Sequence, residues 1–266
     1  MQKNSPFMQP ISKAQVKFIR SLQQKKFRDQ EGLFVAEGGK CVEELSRGFE
    51  PVQIVLQQGL TCSFPADIAV FSATPTEIEQ MSSLRTPQGI LGVFRKRPNH
   101  SPDSAVTNDL VLVLDGIQDP GNLGTIIRTC DWFGIRSILC SRETADCYNP
   151  KVVQATMGAL ARVQIYYVSL TDWLSRLQNA GKPQVPVYGT LLDGKNIYEQ
   201  TLSPRKGLII MGNEGNGISP EVRKFITHPL YIPSYSDSAP DSSEVVESLN
   251  VSIATAIVLA EFRRPR

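Results

Sequence analysis

The apolar run Leu110–Leu114 stops at Asp115-Gly116, breaks again at Asp119-Pro120-Gly121, and is followed at once by a helical pattern. A strand with no polar face is buried on both sides, so this run belongs to the interior of a covered sheet. The pattern recurs to the end of the chain. Strands are predicted at 110–114, 137–140, 163–168, 186–190, 207–212 and 229–232, with helices at 123–133, 150–160, 171–179, 219–225 and a long last one from about 249 to 263. Apolar strands separated by helices give a mainly parallel α/β sheet covered on both faces, with ligands bound outside the carboxyl ends of the strands. The chemistry is therefore expected in the loops after Leu114, Thr190, Gly212 and Ile232.

Ahead of this region the elements are shorter. A helix at 11–22 with Ser12 as its cap, strands at 33–36, 52–56, 68–71 and 89–94, and helices at 37–46 and 75–84 describe a small α/β domain at 1–95. Residues 96–107, polar and with two prolines, read as a linker to a second domain at 108–266. Net charge is only +2 over 266 residues, so a nucleic-acid surface must be local. Residues 1–30 carry seven Lys or Arg against one Asp. Lys13, Lys17 and Arg20 lie on the first helix and Lys25, Lys26 and Arg28 in the expected loop after it, either as a solvated face or as a phosphate-contacting patch.

Three stretches carry chemical potential. In D-P-G-N-L-G-T-I-I-R, Asn122 and Gly124 reach the start of a helix and Arg128 falls one turn beyond Gly124, which alone also describes a glycine-capped corner with a surface arginine. In G-L-I-I-M-G-N-E-G-N-G (207–217), an apolar strand enters a glycine-rich loop that holds Glu214, again compatible with a plain turn. Near the end, Y-I-P (231–233) and E-S-L-N-V-S (247–252) precede an apolar helix, for which Ser248 or Asn250 suits the N-cap. Neither the G-x-G-x-x-G fingerprint nor the G-x-x-x-x-G-K-[ST] loop occurs, which weakens a nicotinamide-dependent oxidoreductase. His100 and His228 stand outside these stretches.

Taken in order, N122-L-G-T-I-I-R128, I210-M-G-N-E214-G and I232-P followed by E247-S-L-N250-V-S resemble the SpoU (TrmH-like) RNA ribose 2′-O-methyltransferases. Residues 11–94, through K-F-I-R-S-L, K-K-F-R and F-V-A-E-G, resemble that family's accessory substrate-binding domain, related to the L30e/L7Ae ribosomal proteins. The resemblance implies a C-terminal α/β-knot (a deep trefoil knot on a mainly parallel sheet), S-adenosylmethionine as cofactor, an RNA substrate and a homodimer formed partly through the last helix. By motif position it implies Asn122, Arg128, Glu214, Ser248 and Asn250 in catalysis and RNA binding. It implies Thr190, Gly212, Ile232 and Leu249 around the cofactor. Within this reading Arg128 acts as a cation on O2′ or a phosphate, its rotamer fixed by Asn122 and Glu214. The stretch 234–246, SYSDSAPDSSEVV, departs from the family by its length and lack of glycine. The alternative is a non-catalytic RNA-binding protein that keeps the fold.

No apolar run approaches the roughly 20 residues of a membrane helix, and the first residues lack the apolar core of a secretory signal. A cytoplasmic protein is the expectation. The five cysteines form no C-x-x-C pair, so no metal site is signalled.

Overall fold

The computed structural model describes residues 8–62, 64–65, 68–98, 101–102, 109–179, 185–235 and 248–265. By contacts the chain falls into two compact units: the described residues up to Pro98 together with Asp146–Arg162, and the described residues to Ala145 together with those from Val163. The linear division at 108 therefore gives way to an interleaved one.

The first unit holds β1 (Gln9–Pro10), α1 (Lys13–Ser21), α2 (Lys25–Glu31), β2 (Leu33–Glu37), α3 (Gly39–Leu45), β3 (Pro51–Gln57), β4 (Ala69–Ala73), α4 (Pro75–Met81) and β5 (Ile90–Arg95). Its sheet runs β1-β4-β3-β5-β2, with β5 antiparallel to both neighbours and the other pairs parallel. Ser12 and Gln15 form a capping box that starts α1, and Thr74 with Glu77 does the same for α4. Val16, Ile19 and Leu22 then pack with Ile78, Met81, Val55 and Leu91 in one core. The basic loop expected after α1 is instead the short helix α2, ended by Gly32 in the left-handed conformation at φ +66°.

The second unit begins with β6 (Leu110–Asp115), α5 (Pro120–Trp132) and β7 (Ser137–Cys140). The chain then gives α6 (Pro150–Thr156) to the first unit before returning with β8 (Gln164–Tyr167), α7 (Leu170–Asn179), β9 (Val187–Asn196), β10 (Gly207–Gly212), α8 (Pro220–Arg223), β11 (His228–Tyr231) and α9 (Val251–Arg263). The six strands lie in the order β11-β9-β10-β6-β7-β8 and every pair is parallel. The central strands β6 and β10 are buried throughout but for Asp115, as their apolar composition requires. Helix α5 starts at Pro120, earlier than its apolar pattern suggested, because Asp119 caps it and proline suits the first helical position. Strand β9 outruns its predicted end. Its pairing with β11 jumps from Gly189↔Pro229 to Lys195↔Leu230, so residues 190–194 bulge out of the sheet at its carboxyl edge.

The exchange of 146–162 has a side-chain cause that no strand pattern encodes. Within the first unit, the Arg28 guanidinium meets Asp146 through Nε and Nη2 (3.2 and 2.7 Å) and donates from Nη1 to the carbonyls of Leu22 and Gln23. Tyr148 packs its ring, tilted by 39°, with its centroid 4.8 Å from that of Phe34 and accepts the Arg97 backbone N–H. Arg97 reaches the carbonyls of Leu160 and Ala161.

Candidate functional site

At the carboxyl edge of the second sheet, the peptide of Gly116 (φ +74°) is held from both sides. Its N–H donates to Ser141 Oγ (3.0 Å), in the loop after β7, and its carbonyl accepts from Asn213 Nδ2 (2.7 Å), in the loop after β10. Asn213 also shapes its own loop. Its backbone exchanges two 2.9 Å hydrogen bonds with Gly217, and its Oδ1 accepts from the N–H groups of Gly215 and Asn216. Asp115 Oδ2 accepts the N–H of Ser219 (2.8 Å) and ties the exit of that loop to the end of β6. Sequence reasoning passed over Asn213, Asp115 and Ser141; an asparagine inside G-N-E-G was the available signal.

This scaffold fixes a directed chain of side chains. Asn250 caps α9, its Oδ1 accepting from the N–H groups of Ser252 (2.9 Å) and Ile253 (3.4 Å). Its amide nitrogen must then point away from the helix, and it donates to Asn122 Oδ1 at 3.0 Å. Asn122 is left with only its own NH₂ to offer, and donates it to Glu214 Oε1 at 2.8 Å. The orientation of both amides follows from the helix cap at one end and the carboxylate at the other. Three residues from three distant stretches thus form one line, Glu214, Asn122, Asn250.

Helices α5 and α9 run side by side in the same direction. The Asn250–Asn122 bond joins their first turns, and Arg263 joins their ends by donating to the carbonyls of Phe133 (2.9 Å) and Gly134 (3.4 Å). Arg128 lies two turns into α5, exposed, and makes no hydrogen bond or ion pair with the described residues. The expectation that Asn122 and Glu214 fix its rotamer is thereby corrected: they are engaged with each other and with Asn250. Ser248 and Leu249, just before α9, are exposed, and the cap is Asn250 rather than Ser248.

The residues expected around the cofactor sit at the same edge of the sheet. Thr190 opens the bulge of β9 and Ile232, partly buried, follows β11. Gly212 ends β10, where a Cβ would lie 2.3 Å from the backbone of Gly217 and Ile218, so only glycine lets the loop fold back on the strand. Leu192 in the β9 bulge is 80% exposed and Leu249 is 48% exposed, apolar surface left out of the core. Most of the 234–246 stretch lies outside the described residues.

In the first unit, Lys13, Lys17 and Arg20 follow one another at helical spacing on the exposed side of α1, and Lys25 and Lys26 are exposed on α2. Lys25 pairs with Asp29 at 2.6 Å, whereas Lys13, Lys17, Arg20 and Lys26 face no carboxylate among the described residues. Arg28 is a correction to the proposed patch. It is 2% exposed and spends its donors on Asp146 and two carbonyls, out of reach of a phosphate.

Residues 109–260, more than half of the chain, match the SpoU rRNA Methylase family. The chain belongs to that family. Residues 13–92, the run from α1 into β5 of the first unit, match the MRM3-like substrate binding domain. Among relatives, a Bacillus subtilis 23S rRNA (guanosine(2553)-2′-O)-methyltransferase, RlmP, is 30% identical over 93% of this chain and 95% of its own. A TrmH-family protein from Porphyromonas gingivalis superposes with a TM-score of 0.83 at 41% identity, over 95% of this chain and 98% of the other. The AdoMet-bound rRNA methyltransferase from Sinorhizobium meliloti gives 0.80 at 29% identity, with 96% of each chain covered. Within the SpoU family reading, the three stretches met in the sequence are the ones the tertiary structure brings to a single edge. No helix among the described residues is long and apolar enough to cross a membrane, and no cluster of metal-ligating side chains occurs among them.

Proposed function

We propose that this SpoU-family chain transfers the methyl group of S-adenosylmethionine to a ribose 2′-hydroxyl of RNA, with ribosomal RNA as the substrate class. The observation that carries the reading is the line Glu214–Asn122–Asn250, with Arg128 farther along the same helix as Asn122, exposed and without a partner among the described residues. A scaffold without chemistry has no use for a side-chain line that ties three stretches together at the ligand-binding edge of the sheet.

The cofactor, when bound, supplies a methyl group already activated on a sulfonium. The residues present suit it: Thr190, the backbone at Gly212 and Ile232, and the exposed apolar surface of Leu249 and Leu192 offer polar main chain and a hydrophobic wall for an adenosine. The protein's remaining task is to orient O2′ and to stabilise the charge that develops on it, and orientation alone is worth up to about 7–11 kcal/mol in favourable cases. Arg128 holds O2′ or the adjacent phosphate as a permanent cation, since a guanidinium does not give up its proton at neutral pH. Asn122 and Asn250, locked by Glu214 and the α9 cap, fix the walls against which the nucleotide is placed, with Ser248 exposed beside them. The accessory unit, L30e-like in this reading, contributes Lys13, Lys17, Arg20, Lys25 and Lys26 as phosphate contacts.

The C-terminal unit is read as an α/β-knot. The sheet order with β6 beside β10 supports this, while the connection at 236–247 lies outside the described residues. A homodimer is supported by large apolar side chains left exposed on α5 and α9, Trp132 at the end of α5 (86% exposed) and Ile253 in the first turn of α9 (52% exposed). The cytoplasm is its compartment, consistent with five unpaired cysteines.

The test is methyl transfer from tritiated S-adenosylmethionine to total RNA of cells lacking the protein, followed by mapping of 2′-O-methyl sites with and without it. Arg128→Ala should reduce incorporation at the mapped site by orders of magnitude with cofactor affinity unchanged. Methylation of a base rather than a ribose, or full activity of Arg128→Ala, would overturn the reading.

A further inference from the structure

The turn after β7 is built more firmly than an exposed loop requires. Its ends, Ser141 and Thr144, are 4% and 6% exposed, and they close the turn through Thr144 N–H to the Ser141 carbonyl. The backbone N–H of Ser141 donates to the Leu114 carbonyl at 2.9 Å, and Thr144 Oγ1 reaches the same carbonyl at 3.3 Å. Ser141 Oγ receives the Gly116 N–H, the two hydroxyls lie 3.2 Å apart, and the N–H of Ala145 donates to the Ile117 carbonyl. Both hydroxyls and the flanking backbone are thus spent on the loop that leads into Asn122. The two central residues, Arg142 and Glu143, are left projecting at the carboxyl edge of the sheet, exposed and without a hydrogen bond or ion pair among the described residues.

Among the other arginines of this unit, Arg136 is committed to Asp131, Arg223 to Asp193, Arg264 to Glu261, and Arg263 to carbonyls. Arg142 differs in having a fixed base and a free head. Parallel neighbours lie about 5 Å apart, so the turn after β7 stands one strand beyond the acceptor loop after β6. Resting on the methyltransferase reading, we infer that Arg142 is a further RNA-positioning residue, holding a backbone phosphate next to the acceptor nucleotide, with Ser141 and Thr144 setting its height above the sheet. A guanidinium on a rigid base loses little freedom in gripping a phosphate. Glu143 opposes it and sets a limit on affinity.

The experiment measures methylation of unmodified total ribosomal RNA as a function of RNA and salt concentration, with cofactor affinity and melting temperature as controls. Arg142→Ala should raise the KM for RNA by about tenfold, leave kcat within about twofold, and flatten the salt dependence by the equivalent of about one phosphate contact. Arg142→Lys should recover part of the loss, and Glu143→Gln should lower the KM. If the wild type methylates ribose and Arg142→Ala matches it in KM and salt slope, the Arg142 inference is overturned and the methyltransferase reading stands. If the wild type neither binds S-adenosylmethionine nor modifies RNA, both fall.

Discussion

Asn250 donates its side-chain amide to the carbonyl oxygen of Asn122 at 3.0 Å, across 128 residues of sequence, while its own side-chain oxygen caps α9. The two jobs can be separated. Asn250→Ala removes both, and should cost about 1 kcal/mol of stability as a lost cap together with most of the activity. Asn250→Asp keeps an oxygen for the cap but sets an acceptor against Asn122. Turning the Asn122 amide over only moves the clash to Glu214. The aspartate variant should therefore melt close to the wild type and still lose activity on the order of 100-fold, the scale of a small misplacement in an active site. Calorimetry beside single-turnover methylation checks this, and equal loss of stability in both variants would contradict it.

Arg28 is buried and Asp146 partly buried, 2% and 12% exposed at the side chain, so they form an ion pair in which neither partner can be left alone. Arg28→Ala should destabilise by about 3–5 kcal/mol, whereas Arg28→Met with Asp146→Leu should restore most of the loss. Urea unfolding measures both. A salt-dependent RNA affinity that changes in the double variant would instead return Arg28 to the RNA surface.

The exposed basic side of α1 makes an additive prediction. Each of Lys13→Ala, Lys17→Ala and Arg20→Ala should weaken RNA binding and reduce the slope of log affinity against log salt by about 0.7–0.9, with little effect on melting. Filter binding over a range of salt concentrations reads the slope. Three unchanged slopes would confine RNA contact to the second unit.

Two glycines of one loop should respond in the unexpected order. Gly217 has φ +67° and open space around it, so Gly217→Ala meets only the left-handed backbone cost of about 1–2 kcal/mol. Gly212 has an ordinary φ, yet its added methyl would lie 2.3 Å from backbone atoms that cannot swing aside. Gly212→Ala should be the more destabilising of the two, by thermal melting, and should also weaken cofactor binding.

Cysteine reactivity should separate along burial. Cys62 is exposed and the other four are buried, and burial raises the Cys41 thiol to about 11. Native protein should take one iodoacetamide adduct, on Cys62, and all five after unfolding, by mass spectrometry. Burial holds the Cys41 proton above the ordinary thiol value of 9.0, so this group's contribution to stability is intact below pH 9 and declines as pH rises toward 11.

The parallel α/β unit was legible in the sequence because apolar runs such as Leu110–Leu114 and Gly207–Gly212 have no way to fold except between two covering layers. The three stretches carrying Asn122, Glu214 and Asn250 were legible for the same reason, each following an apolar strand or opening a helix. Helix α2 was missed, since K-K-F-R-D-Q-E carries too few apolar residues to show a period and ends only through Gly32. What no local pattern could give was partnership. Arg28 and Lys25 look alike in the sequence, but one is closed over by Asp146 from far along the chain and the other stays in water. Likewise, Asn122 seemed poised to hold Arg128, its neighbour on the helix, and instead bonds residues 92 and 128 positions away. The sequence by itself determined which segments become strands and which loops meet at their carboxyl ends, because periodicity and turn chemistry are short-range properties. Only the tertiary structure decided which polar groups satisfy one another, because a buried donor takes whichever acceptor the packing brings to it, and that choice left Arg128 and Arg142 without partners among the described residues.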